Sequence, residues 1–284
     1  MNDEQASLYN DWQDWQDSFY WQRIDDTFPE IALLPGLSKA LGEGATIADL
    51  VDMDAQEFTS ALYGISNVGE SRSFSVDEYR AGEVLRYWKQ KLTFLPKVAD
   101  LAISGDWEGF STRVQQIYET MPEAFEIFYP YMPDEYRREF VVGCYDNHGD
   151  AVDGCREALK QLPKGGAGEL PDDLRGQDVI TVYRAGREGM DDAPFSFSWT
   201  TSRPVANFFY NRHDGGHVYK ASLRTCDVIA YDDDRNEREV LQYGDVYDVE
   251  EIEADPQEGH DWRQRLHDEE MAELNEIMEA RNNG

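Results

Sequence analysis

Apolar residues in the first half of the chain recur at helical spacing. Leu8, Trp12, Trp15 and Phe19 follow one another at steps of four, three and four, one stripe of a 3.6-residue helix, while Asp11, Asp14 and Asp17 lie off that stripe. Such an aromatic stripe predicts a face packed into a core. Asp54 is placed to cap a short helix running through Tyr63. Ser75, followed three residues later by Glu78, is a capping box opening a longer helix through Val84, Leu85, Trp88 and Leu92. Proline has no N–H and crowds the preceding turn, so Pro96 is expected to end or kink that helix. Further helices are predicted over Trp107 to Glu119, Glu123 to Tyr129, Asp134 to Cys144 and Asp150 to Leu162, with Pro122, Pro130 and Pro133 as punctuation.

The texture changes at the glycine and proline cluster Pro163 to Pro171, which reads as a linker. Beyond it, Val179 to Tyr183 is β-branched and aromatic, Val218 to Leu223 alternates with period two, and Val228 to Tyr231 is a short apolar run. One helix is expected among these strands, over Arg203 to Arg212, from the spacing of Val205, Phe208 and Phe209. After Pro256 helical spacing returns with Trp262, Leu266, Met271, Leu274 and Met278, a tail expected to pack back on the protein. The predicted class is α+β: a helical domain over residues 1–165, a small mixed α/β domain over 166–256 and a C-terminal helix over 257–284.

Composition narrows the function classes. The chain has 284 residues with 26 basic and 58 acidic side chains, a formal charge of −32, and the aromatic content, 13%, is too high for a disordered acidic tail. The charge is spread evenly, with 14 basic and 30 acidic residues up to Gly165 and 12 and 28 after it. Such an envelope repels phosphate backbones and attracts basic partners, so a nucleic acid partner is disfavoured. No stretch nears the ~18 consecutive apolar residues of a membrane span. Met1-Asn2-Asp3-Glu4 places acids ahead of any apolar run, so no membrane partner and a cytoplasmic location are expected. Cys144, Cys155 and Cys226 lack metal-type spacing and cannot all pair within one chain; Cys144 and Cys155 could in principle meet, but buried free thiols in a reducing compartment are the favoured reading. His213 and His217 flank a glycine-containing turn with no companion ligand nearby, so no metal site is expected.

Three segments carry the candidate chemistry. Val182-Tyr183-Arg184-Ala185-Gly186 ends a strand in arginine. Phe197-Ser198-Trp199-Thr200-Thr201-Ser202 is a hydroxyl-rich strand that enters the helix holding Ala206, Phe208 and Phe209. Arg235-Asn236-Glu237-Arg238-Glu239-Val240-Leu241 sets two carboxylates at i and i+2, on one side of an expected strand, with Val240 turned into the core. A guanidinium fork suits phosphate, and a carboxylate suits ribose hydroxyls and positive charge on a sugar carbon.

In this order and spacing the three segments resemble the arginine–serine–glutamate class of ADP-ribosyltransferases, over roughly Asp178 to Val249, about a quarter of the chain. The resemblance does not extend to Met1 to Leu162. It implies a catalytic domain of two packed sheets and NAD+ as substrate. By resemblance, Arg184 binds the phosphate and the nicotinamide ribose, the backbone of Ala185 or Gly186 holds the nicotinamide amide, and Tyr183 is a further cofactor-binding residue. Ser198 positions the catalytic acid and the ribose, and Thr200 keeps the last hydroxyl of the motif on the cofactor-binding side. Glu239 binds the ribose 2′-hydroxyl and stabilises the cation as nicotinamide leaves, and Glu237 orients or deprotonates the acceptor. Trp199 stands where the family's Ser-Thr-Ser has threonine, Thr200 where it has the last serine, and Ala185 where glycine is frequent. The indole at 199 is expected to point away from Ser198, into the core.

The implied activity is mono-ADP-ribosyl transfer to a macromolecular acceptor, a protein arginine being favoured, in a phage or bacterial toxin, effector or anti-defence context that leaves room for a cognate inhibitor. Two other readings stay open: an NAD+ glycohydrolase, and an acidic protein that mimics nucleic acid and inhibits its target without chemistry.

Overall fold

A computed structural model describes residues 2–63, 75–147, 151–165, 168, 170–213, 215–233 and 235–282. The chain divides into two compact units, Met1–Gln161 and Leu162–Gly284. Of the linker residues Pro163 to Pro171, positions 166, 167 and 169 lie outside the described residues, as do Asp150, the expected start of one helix, and Asp214 between the two turn histidines. No helix among the described residues is long and apolar enough to cross a membrane.

The first unit is helical: α1 (Asp3–Tyr20), α2 (Ile24–Thr27), α3 (Pro35–Leu41), α4 (Ile47–Asp52), α5 (Ala55–Tyr63), α6 (Val76–Ser104), α7 (Trp107–Gln116), α8 (Met121–Glu123), α9 (Asp134–Asp146) and α10 (Asp153–Gln161). In α1, Leu8 and Trp12 are buried, and the aromatic stripe continues as a ladder: Trp12 on Trp15, Trp15 on Phe19 and Phe19 on Trp88 of α6, with centroids 5.3, 5.3 and 5.5 Å apart. Asp54 accepts from the backbone N–H groups of Gln56 and Glu57, as the capping position requires. Ser75 and Glu78 form the expected capping box, and α6 ends at Gly105, whose φ of 82° suits glycine.

Pro96 does not end α6, which continues to Ser104. A helical proline leaves the carbonyl four residues earlier without its donor, here that of Leu92. The Tyr20 hydroxyl of α1 donates to that carbonyl at 3.0 Å. Leu92, Leu95, Val98 and Ala99 around the proline are fully buried, so packing holds the helix through it. Other expectations shift modestly. α7 stops at Gln116, and the helix expected over Glu123 to Tyr129 is a π-helical turn, Ala124–Phe128, whose Phe125 and Phe128 pack against Phe140 and Phe110.

The second unit contains β1 (Val179–Gly186), β2 (Ser198–Thr200), α11 (Arg203–Arg212), β3 (His217–Arg224), β4 (Ala230–Asp232), β5 (Glu239–Leu241), β6 (Tyr247–Ile252) and α12 (Pro256–Asn282). The strands form one antiparallel sheet of six, in the order β4-β5-β2-β1-β3-β6. The α+β class therefore stands, whereas the two packed sheets implied by resemblance are replaced, among the described residues, by a single sheet. Its spine is β1 on β3, paired continuously from Val179↔Arg224 to Gly186↔His217. Strand alternation sends Ile180, Val182, Trp199, Tyr219, Ala221, Leu223 and Val240 into one cluster with Leu170, Ala193, Val228 and Val246. Burying each large side chain of this cluster contributes about 1.5–3 kcal/mol.

The helix α11 has the bounds expected for it. It packs closely with the start of α12: Phe208 meets Trp262 with centroids 5.2 Å apart. The fully buried Asn207 donates to Glu258 at 2.6 Å and accepts from the Asp255 N–H at 3.0 Å. The tail thus packs back as far as Leu266, but Met271, Leu274, Ile277 and Met278 are exposed. β6 has no counterpart in the sequence expectations. It is a largely exposed edge strand whose acids hide the period-two signal.

Candidate active site

Three adjacent strands, β1, β2 and β5, bring the candidate residues together. Tyr183 lies opposite Thr200, Thr200 opposite Glu239, and Glu239 opposite Asp232. Residues opposite one another in register share a face of the sheet, so Tyr183, Ser198, Thr200 and Glu239 line one side. Trp199 and Val240 leave on the other, buried as expected. Thr200, rather than Ser198, is the cross-strand neighbour of Glu239; Ser198 lies opposite Leu241. The Thr200 hydroxyl donates to the Glu237 carbonyl at 2.6 Å and accepts from the Ser202 N–H at 3.0 Å, tying β2 to the acid-bearing segment.

The two acids do not share a strand. β5 begins only at Glu239, and Asn236 and Arg238 carry φ values of 58° and 50°, the left-handed region that non-glycine residues seldom adopt. The expected i, i+2 geometry is therefore replaced by a tight turn. The Arg238 N–H donates to Asp233 at 2.9 Å, the Thr201 N–H to the Arg238 carbonyl at 3.1 Å, and the Arg238 guanidinium to Asp173 at 2.6 Å. The turn still makes the carboxylates converge. The Arg235 Nη2 lies 3.3 Å from Glu237 Oε2 and 3.5 Å from Glu239 Oε2. Glu239 is buried at 7% exposure, while Arg235 is 51% exposed.

Arg184 follows Tyr183 in the strand and so leaves on the opposite face from Glu239, that of Val182 and Trp199. Its Nε donates to Glu188 at 2.6 Å and its Nη1 to the Ser198 carbonyl at 2.7 Å. Glu188 is fixed in turn. Its carbonyl accepts from the Tyr219 hydroxyl at 2.5 Å, and its carboxylate folds over Gly186, where a Cβ would come within 2.1 Å of it. Burial pushes the Glu188 carboxyl up, but the charge and hydrogen bond of Arg184, with help from its own backbone and Ser196, hold it below the usual carboxylate range. Ala185 and Gly186 pair with Val218 and His217 at the end of β1.

The structure thus groups Tyr183, Thr200, Glu237 and Glu239 on one side and links Arg184 to Ser198 through the main chain. Two participants, Glu188 and Arg235, were not singled out in the sequence. Glu188 lies just past a strand end, where spacing carries no signal. Arg235 could be suspected only from its place beside an Asn, a residue that tolerates the left-handed conformation. Cys144 and Cys155 are buried, as expected, and Cys226 is exposed. Among the described residues no group of three or more His, Cys, Asp or Glu could hold a metal ion. Compared with protein-family models, with curated proteins and with solved structures, the chain matches none.

Proposed function

We propose that this chain is an NAD+-dependent mono-ADP-ribosyltransferase, working in the cytoplasm of a phage or bacterial conflict system, with a protein arginine as the favoured acceptor. The observation that carries the reading is the carboxylate pair Glu237 and Glu239, which converges on one guanidinium, Glu239 from β5 beside the hydroxyl-bearing β2 and Glu237 from the turn before it. A pair that already holds one arginine suits another as acceptor.

In this reading Glu239 hydrogen-bonds the ribose 2′-hydroxyl and stabilises positive charge on C1′ as nicotinamide departs, and Glu237 takes the proton of the attacking nitrogen. Thr200, opposite Glu239 and bonded to the Glu237 main chain, keeps the two acids in register. Arg184 takes the phosphate and Ala185 or Gly186 the nicotinamide amide. These roles rest on the resemblance, and Arg184 draws no support from contact with Glu239. To meet phosphate through its Nε edge it must exchange Glu188.

The test is incubation with labelled NAD+, a small guanidine and a cell lysate, following nicotinamide release and label transfer together. Glu239→Gln keeps the shape and loses the charge, so turnover is expected to fall about 10²- to 10³-fold with the melting temperature preserved. Full release of nicotinamide by that variant sinks the role of Glu239. Release without transfer by the unaltered chain gives a glycohydrolase instead. Neither signal from the unaltered chain favours the acidic mimic of nucleic acid, whose binding weakens steeply with salt.

A further inference from the structure

We infer that Arg235 is itself an acceptor: the chain ADP-ribosylates its own Arg235 in cis, an inference that rests on the proposed activity. Three observations converge on it. Arg235 Nη2 lies between the two acids, 3.3 Å from Glu237 and 3.5 Å from Glu239. Half of the side chain is open to solvent, so a substrate can approach it. The arginine is brought there by the backbone, through the left-handed residues Asn236 and Arg238 in a turn pinned by Asp233, Asp173, Thr200 and Thr201. The turn holds the guanidinium against the acid pair.

The chemistry balances. The C1′–N bond to nicotinamide breaks and its electron pair leaves with nicotinamide, neutralising the pyridinium. Arg235 Nη2 forms the new bond to C1′, and its proton passes to Glu237 and then to water. The product is a ribosylated guanidinium that keeps its charge and adds an anionic diphosphate beside the acids. Until NAD+ arrives, the same arginine covers Glu237 and Glu239 and competes with any external guanidine, and modification removes it as a free competitor.

The experiment uses the full chain with NAD+ labelled on the adenylate side, intact mass, and peptide mapping by a fragmentation that preserves the glycosidic bond. Nicotinamide release and labelling of added agmatine are read in parallel. One ADP-ribosyl group on Arg235 is expected, at a rate independent of protein concentration. It is expected to be absent from Arg235→Lys and absent from a Glu239→Gln chain of distinguishable mass mixed with the active one. Nicotinamide release or agmatine labelling with Arg235 unmodified overturns the inference and leaves the transferase or hydrolase reading standing. Label on Arg235 of the inactive chain overturns the cis step. No nicotinamide release from the unaltered chain removes the activity and the inference together. Mapping on the unaltered chain decides the site even where Arg235→Lys folds poorly.

Discussion

Two acid–base pairs, one in each unit, lie largely away from water and behave oppositely. Lys91 and Glu123 of the helical unit meet at 2.5 Å with side chains 4% and 9% exposed. Arg184 and Glu188 of the sheet unit meet at 2.6 Å with 24% and 23% exposed. Burial pushes the Glu123 carboxyl above the usual range, and the charge and hydrogen bond of Lys91 offset this only in part. At Glu188 burial pushes the same way, yet Arg184 prevails. Pairs at a similar distance thus differ in direction: at Glu123 deep burial, with Glu126 beside it, outweighs Lys91, whereas at Glu188 Arg184, helped by Ser196 and the backbone, outweighs a shallower burial.

The deep pair serves the fold. The Lys91 ammonium lies 4.4 Å from the centre of the Trp88 ring, and Glu123 Oε2 is buried with no hydrogen-bond partner among the described residues. The shallower pair stays within reach of solvent.

The sharpest way to break this contrast is Lys91→Met, which strands a buried carboxylate and is expected to destabilise the helical unit by about 3–5 kcal/mol in urea denaturation, with Lys91→Met/Glu123→Leu recovering most of it. A loss below about 1 kcal/mol for the single variant would place the pair with ordinary surface bridges. In the sheet unit packing rather than charge sets the larger effect. A Cβ at Gly259 would lie 2.5 Å from the Asn207 carbon and the Phe208 nitrogen of α11, both backbone, so Gly259→Ala is expected to cost about 1–3 kcal/mol and to expose Trp262 to a fluorescence quencher. Unchanged quenching would refute the close helix contact. Ser75→Ala removes one half of the α6 capping box and should cost about 1 kcal/mol, most visible as faster amide exchange in the first turn of α6.

The smallest effect tests the sign of the comparison. The raised Glu123 value makes its contribution to stability full at acid pH and lost as pH rises through the folded value. The lowered Glu188 value makes its contribution full above the ordinary carboxylate range and lost as pH falls through the folded value. Amide exchange between about pH 3 and 7, corrected for intrinsic rates, should therefore move oppositely around Glu123 and around Glu188. Parallel changes would show that depth does not separate the two pairs.

Local patterns were legible wherever one short-range rule acts alone. The Ser75–Glu78 box, the Asp54 cap, the bounds of α11 and the burial of Trp199 and Val240 follow from spacing and alternation. That α6 runs on past Pro96 could not be read locally, because the donor that meets its orphan carbonyl, Tyr20, lies more than seventy residues away in sequence. Glu237 was set on a strand because i, i+2 spacing suits one, and nothing local shows that Asn236 and Arg238 turn left-handed. Thr200 and Ser198 exchange places beside Glu239 because strand register depends on the partner strand.

By itself the sequence determined the helical first half, the strand-rich second half, the inward set of apolar residues and the identity of the chemical groups available, since these depend on neighbours within one or two turns. Only the tertiary structure decided that the strands join in one sheet, that Arg184 and Glu239 leave on opposite faces, and that Glu188 and Arg235 are the counter-ions of the residues singled out. Register, sheet order and charge pairing are set by contacts between distant segments, and a single sequence carries no spacing from which to read them.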